Sequence, residues 1–210
     1  MKKIFILMVS IGSILAILVS CAKEDDDSSS SSTTSATTTT PSGSITMGSY
    51  TVSGVYKSGC FTSGVSTLVA AGAFPSDVKS YGFVFVVIGD DNITSETHSF
   101  TDTECTTSSW VNKLVRDNVT VGTASGANYP VTYNKGGFRW TVNTTTAETY
   151  LENLYTSISL DMTVGTEKVI AGVGSAAYGL WTPGDTTIYL ASESTSSTPS
   201  TAGVIVYTKE

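Results

Sequence analysis

The chain has 210 residues, with 11 Lys and Arg against 18 Asp and Glu, and a single histidine. A net charge of -7 without any clustered cations excludes nucleic-acid binding through phosphate contacts, and adsorption to an anionic lipid surface by charge alone. A single histidine and a shortage of free cysteines leave too few ligands for a zinc centre.

Lys2 and Lys3 precede an apolar run over residues 4–19 that is relieved only by Ser10, Gly12 and Ser13. These are the charged and apolar regions of a secretory signal over residues 1–20, too short and too poorly flanked for a spanning helix. Leu18-Val19-Ser20-Cys21 resembles the bacterial lipobox, which implies that Cys21 becomes the acylated N-terminus of a lipoprotein. Palmitate-type chains at about 0.8 kcal/mol per buried methylene make a stable membrane anchor. Loss of Lys2 and Lys3 with the signal leaves 9 of the 11 basic residues against 18 acids.

Residues 21–43 read as a tether. Lys23, Glu24, Asp25, Asp26 and Asp27 keep the exit from the bilayer hydrated, and the Ser/Thr tract that follows has almost no apolar side chain to offset the entropy of ordering. Flexible-chain statistics over residues 28–43 place the domain about 20 to 25 Å from the membrane. Cys21-Ala22-Lys23-Glu24-Asp25 is similar to the lysine-plus-acids signal that takes some Bacteroidetes lipoproteins to the outer face of the outer membrane, so the expected location is lipid-anchored at the cell surface.

Residues 44–210 suffice for one domain with its own core. They are rich in Thr, Ser, Gly, Val and Tyr and poor in Leu, Lys and Glu, which favours β-structure. In chain order, residues 50–57 (YTVSGVYK) predict a strand with a bulge at Gly54. Residues 81–88 (YGFVFVVI) are apolar on both faces and predict a central strand. Residues 93–101 and 118–123 follow, and then 138–142 (FRWTV), with Phe138, Trp140 and Val142 on one face. Further strands are expected over 157–164, 168–173, 186–191 and 203–208, separated by turn signals such as Gly89-Asp90-Asp91-Asn92, Asn134-Lys135-Gly136-Gly137 and Pro183-Gly184-Asp185. Two segments carry a helical rhythm. Thr145-Thr146-Ala147-Glu148 has capping-box spacing ahead of Tyr150, Leu151, Leu154 and Tyr155. Residues 109–117 (SWVNKLVRD) place Trp110, Val111, Leu114 and Val115 at helical intervals, although a strand also fits either segment.

Cys60 and Cys105 are the two cysteines of this domain, and in an exported chain they read as one structural disulfide. Ser53-Gly54-Val55-Tyr56 shortly before Cys60, Ser99-Phe100-Thr101-Asp102-Thr103-Glu104-Cys105, and a closing hairpin over 185–209 ending Val206-Tyr207-Thr208-Lys209 together resemble a group of small surface lipoproteins of spirochaetes and related Gram-negative bacteria with a lipocalin-like barrel. The resemblance implies an all-β, antiparallel barrel of about 8–10 strands with one or two short helices, and a disulfide that ties barrel neighbours. The alternative architecture is an immunoglobulin-like β-sandwich.

Residues for chemistry are few. His98 alternates with Glu96 and Phe100, so a buried His–Glu pair is conceivable, but a surface or pore-lining histidine is the expectation, and there is no GxSxG. Gly172-Val173-Gly174-Ser175 lacks the third glycine and the βαβ context of a dinucleotide loop. Asp90-Asp91-Asn92 and the pair Asp102 and Glu104 offer calcium-type oxygens, and turn capping explains the first group better. The expectation is therefore a protein that is not an enzyme, with no cofactor and no metal. Aromatic residues on the strands carry most of the functional content. In a barrel, Phe83, Phe85, Phe138 and Trp140 either fill the core or wall a cavity for a small hydrophobic ligand, and the ligand-binding reading takes them as wall residues. The alternative is an adhesin-type interaction protein that contacts host or envelope macromolecules through loops such as 122–130 and 192–202.

Overall fold

A computed structural model of the chain describes residues 39–172 and 174–210. The expected signal, Cys21 and most of the expected tether lie outside the described residues. The described part is all-β: β1 (Ile45–Met47), β2 (Tyr50–Val52), β3 (Val55–Lys57), β4 (Ser80–Val87), β5 (Ile93–Phe100), β6 (Ser108–Val121), β7 (Tyr129–Val142), β8 (Glu167–Gly172), β9 (Ala176–Pro183), β10 (Thr187–Leu190) and β11 (Val206–Lys209). Two helices interrupt them, α1 (Val65–Ala70) and α2 (Thr145–Leu154), with a 3₁₀ turn at Thr156–Ile158.

Eight strands pair antiparallel in the closed order β3-β4-β5-β6-β7-β9-β10-β11, and β11 returns to β3. This is the lipocalin-like barrel; the sandwich alternative does not apply. β8 pairs with the second half of β7 (Gly137 to Thr141), while the first half (Tyr129 to Asn134) pairs with β9. Tyr56, Phe85, Ile93, Val119, Val131, Tyr133, Ala177, Trp181 and Ile188 come from seven barrel strands and meet in one cluster, with Tyr207 of β11 packed against it. That cluster defines the inward face.

The expected single strand over 50–57 is two strands, because Gly54 sits at φ 89, a backbone that an L side chain rarely adopts. β1 and β2 form a separate hairpin whose Ile45, Met47 and Val52 pack on the inward cluster at the end of the barrel where β4 finishes. Residues 109–117 are not helical but belong to β6. Paired with β5 and β7 on either side, this segment turns Trp110, Asn112, Leu114 and Arg116 to one face, and two rows of ladder hydrogen bonds override a weak helical rhythm. Residues 157–164 form no strand; the 3₁₀ turn starts that stretch and Met162 alone in it is fully buried. β9 was not anticipated, since Gly179 and Pro183 break its pattern.

α2 forms where its capping signal predicts, one residue earlier: Thr144 Oγ1 accepts from the Ala147 N–H (3.1 Å) and donates to Asp77 Oδ2 (2.7 Å). It buries Ala147 and Leu151 against Trp110, Trp140 and Val142, and burial of Leu151 contributes about 2 kcal/mol. With α1, Phe74 and Val78 it closes the end of the barrel where β4 begins.

Cys60 and Cys105 are disulfide-bonded, with Cα atoms 6.0 Å apart. The bond ties the segments after β3 and β5, which flank β4, rather than two adjacent strands. Since it closes a loop with a sequence separation of 45, the chain-entropy relation assigns it about 4 kcal/mol. Denaturant midpoints measured with and without reductant are expected to differ by that order, and Cys60→Ser/Cys105→Ser should reproduce the reduced value.

Candidate functional site

The strand register places the four aromatic residues singled out in the sequence on two neighbouring inward rows. One row runs Phe83, Thr97, Asn112, Trp140 across β4 to β7, and the next runs Phe85, Ser95, Leu114, Phe138. Phe83, Phe85 and Trp140 are buried, whereas Ser95, Thr97, Asn112, Leu114 and Phe138 remain partly accessible on this inward face. The result is a partly accessible strip of small, polar and apolar side chains framed by rings.

Aromatic packing fixes that frame. Trp140 stacks on Trp110 with centroids 4.5 Å apart, Phe83 meets Tyr81 edge-on at 5.5 Å, and Phe85 meets Trp181 edge-on at 5.3 Å. The indole N–H groups of Trp110 and Trp140 are buried without a hydrogen-bond partner among the described residues. A buried donor in this condition costs about 1–3 kcal/mol. An acceptor brought by a bound molecule would recover that cost.

One row beyond Phe138, Ile93, Arg116 and Lys135 lie side by side. An extra residue at the Gly136-Gly137 bulge keeps both Lys135 and Phe138 inward; a Cβ on Gly136 would lie 2.7 Å from Asp117 Oδ2. Arg116 pairs with Glu193 at 2.6 Å and lies over the Tyr133 ring at 5.3 Å, and Lys135 also pairs with Glu193. Burial, and then the Glu193 carboxylate, push the Tyr133 phenol well above its ordinary range. Glu193 stands on the connection from β10 to β11, held along β9 by the Ala191 N–H to Leu180 O bond (2.9 Å) and the Tyr178–Ser194 bridge. The sequence marks none of these four residues for function, and Asn134-Lys135-Gly136-Gly137, which reads as a turn, is instead a bulge within β7 because β6 pairs on both sides of it. Read as a strand, residues 109–117 put Arg116 in line with Trp110 and Leu114, which was the available signal.

The outward face carries a different polar set. His98 and Glu96 are buried there, Nε2 to Oε2 2.8 Å, which corrects the expectation of a surface or pore-lining histidine. Burial opposes ionisation of Glu96, but hydrogen bonds from His98 and Thr39, together with the charges of His98 and Lys113, outweigh it and hold the carboxyl below its ordinary range. Thr39 donates to Glu96 Oε1 at 2.5 Å and Ser42 bridges to Ile88, so both residues pack on the barrel. Lys113 and Arg139 share Glu167 nearby, at 2.8 and 3.3 Å.

The acidic turns serve as backbone caps. Asp90 Oδ1 accepts from the Ser44 N–H (3.1 Å), and Asp102 accepts from the N–H groups of Glu104, Thr106 and Thr107. Among the described residues no group of three or more His, Cys, Asp or Glu is placed to hold a metal ion. The chain matches no protein-family model and no curated protein sequence.

Desolvation at Asp102 is outweighed by the hydrogen bonds from Thr106 and Thr107 together, so its folded pKa lies below the unfolded one. Its stabilisation is complete above the unfolded value of about 3.9 and is lost as pH falls towards the depressed folded value. Asp102→Asn is expected to lower the thermal midpoint at neutral pH, and the gap from wild type should shrink steadily as unfolding scans move below about pH 4.

Proposed function

We propose that this protein is a bacterial lipoprotein, anchored to the outer membrane through acylated Cys21, whose barrel binds a small hydrophobic or amphipathic molecule on its inward face. The observation that carries the reading is the partly accessible strip of Ser95, Thr97, Asn112, Leu114 and Phe138 framed by Phe83, Phe85 and Trp140. A strip of this kind inside a barrel is what small-molecule sites use: apolar and aromatic walls with a few polar groups that fix orientation. The two indole donors supply such groups. The reading assigns the chain a binding role and no catalysis.

A second reading is contact with an envelope or host macromolecule. It draws support from β8, which among the described residues is hydrogen-bonded along one edge and carries Val169 at 61% exposure, near Val164 at 42%. An edge strand of this sort can accept an added strand from a partner.

Native mass spectrometry separates the two. Protein purified from its own host is expected to carry a discrete extra mass that is lost on delipidation, with tryptophan fluorescence that returns when the extract is added back. A chain with no adduct and no fluorescence response to lipids removes the ligand reading. Trp140→Ala is expected to abolish the response and to cost about 3–5 kcal/mol of stability, and Trp140→Phe is the milder control. Separately, metabolic labelling with palmitate should mark the wild-type chain and leave Cys21→Ser unlabelled.

A further inference from the structure

The inward charges do not balance. Among the described residues, Arg116 and Lys135 share one carboxylate, that of Glu193, so one positive charge on this row is left unmatched. The side chain of Arg116 is only 7% exposed, and those of Lys135 and Glu193 are 19% and 21% exposed. A surplus cation in such a place is costly unless a further anion reaches it.

Position makes the surplus specific. Leu114 is two residues from Arg116 along β6 and Asn112 is four, so at about 3.4 Å per residue the cations stand about 7 Å and about 14 Å from the two aromatic rows. Because the side chains at 112, 114 and 116 alternate to the same face, the charged row and the partly accessible strip form one continuous track. Arg116 offers a planar fork that matches a carboxylate, Lys135 offers a point charge beside it, and the Tyr133 hydroxyl lies within the same cluster. Glu193 differs from the two cations in origin: it comes from the long connection between β10 and β11, not from the wall of the barrel.

We infer that Arg116 and Lys135 are the head-group site for a carboxylate-bearing amphipathic ligand, whose apolar part runs along Leu114 and Phe138 towards Trp140, and that Glu193 occupies this site as an internal competitor. The inference rests on the ligand-binding reading and adds the charge and orientation of what is bound. An incoming carboxylate contends with Glu193 for the two cations, so the side chain that neutralises the site also limits its affinity for acids.

The test uses laurate, its neutral counterpart dodecanol, and acetate as probes of the purified protein, read by tryptophan fluorescence and calorimetry. Laurate is expected to bind more tightly than dodecanol, and acetate to bind far more weakly than either. Glu193→Gln should raise the ratio of laurate to dodecanol affinity about tenfold, and Lys135→Gln should lower it by a similar factor, as expected for one charge-assisted hydrogen bond. Equal binding of laurate and dodecanol, with a ratio that neither variant moves, would overturn the head-group site while leaving an apolar barrel site in place. Acetate binding as tightly as laurate would overturn the amphipathic class. If neither laurate nor dodecanol binds, the ligand reading itself falls, and the head-group site with it.

Discussion

Closure of the sheet is the constraint on which the rest depends. β11 meets β3 through only two register pairs, Thr208 with Lys57 and Lys209 with Tyr56, reinforced by the Glu210 N–H to Val55 O bond (3.0 Å) and the Lys57–Glu210 ion pair (2.6 Å). Other neighbours in the barrel pair over up to eight or more residues. Without this short seam, Tyr56, Phe85, Trp181 and Ile188 would lie on the open face of a curled sheet, and no inward surface would be shielded from water. The seam brings together residues more than a hundred positions apart in sequence, at a loop-closure cost that only the shared aromatic core can offset.

Within the closed sheet, β6 and β7 set the shape of the interior. Each carries a shift in register, β6 after Asp117 and β7 around Gly136 and Gly137. The shifts change which alternate residues face inward, so that Val131, Tyr133 and Lys135 are followed by Phe138 and Trp140 on the same side. At that bulge β7 leaves β9 and takes β8 as its partner. The inward strip of partial accessibility lies where the barrel wall divides, and the charged row of Arg116 and Lys135 sits at the division.

The two faces use charge differently. Outside, Lys113 and Arg139 share Glu167 across neighbouring strands, and Glu96 joins His98 to Thr39, so the ion pairs fasten strands and the incoming chain to the sheet. Inside, the acid that meets Arg116 and Lys135 comes from a connection rather than from a strand.

Sequence by itself determined the all-β class, the strand at 81–88 and the pairing of the two domain cysteines, because composition, unbroken apolar runs and simple counting are local or exclusive signals, and a capping signal favoured the helix at 145–154 without deciding it. It also placed Phe83, Phe85, Phe138 and Trp140 on inward-capable faces, since alternation along a strand is a property of the strand alone. Tertiary structure decided the rest. Residues 109–117 became a strand because β5 and β7 supplied hydrogen bonds on both edges, and residues 50–57 split at Gly54 because one half pairs in a hairpin and the other in the barrel. The convergence of Arg116, Lys135, Tyr133 and Glu193 joins β6, β7 and a distant connection through two register shifts and a closed sheet. No local pattern encodes that meeting, because it depends on the barrel having closed.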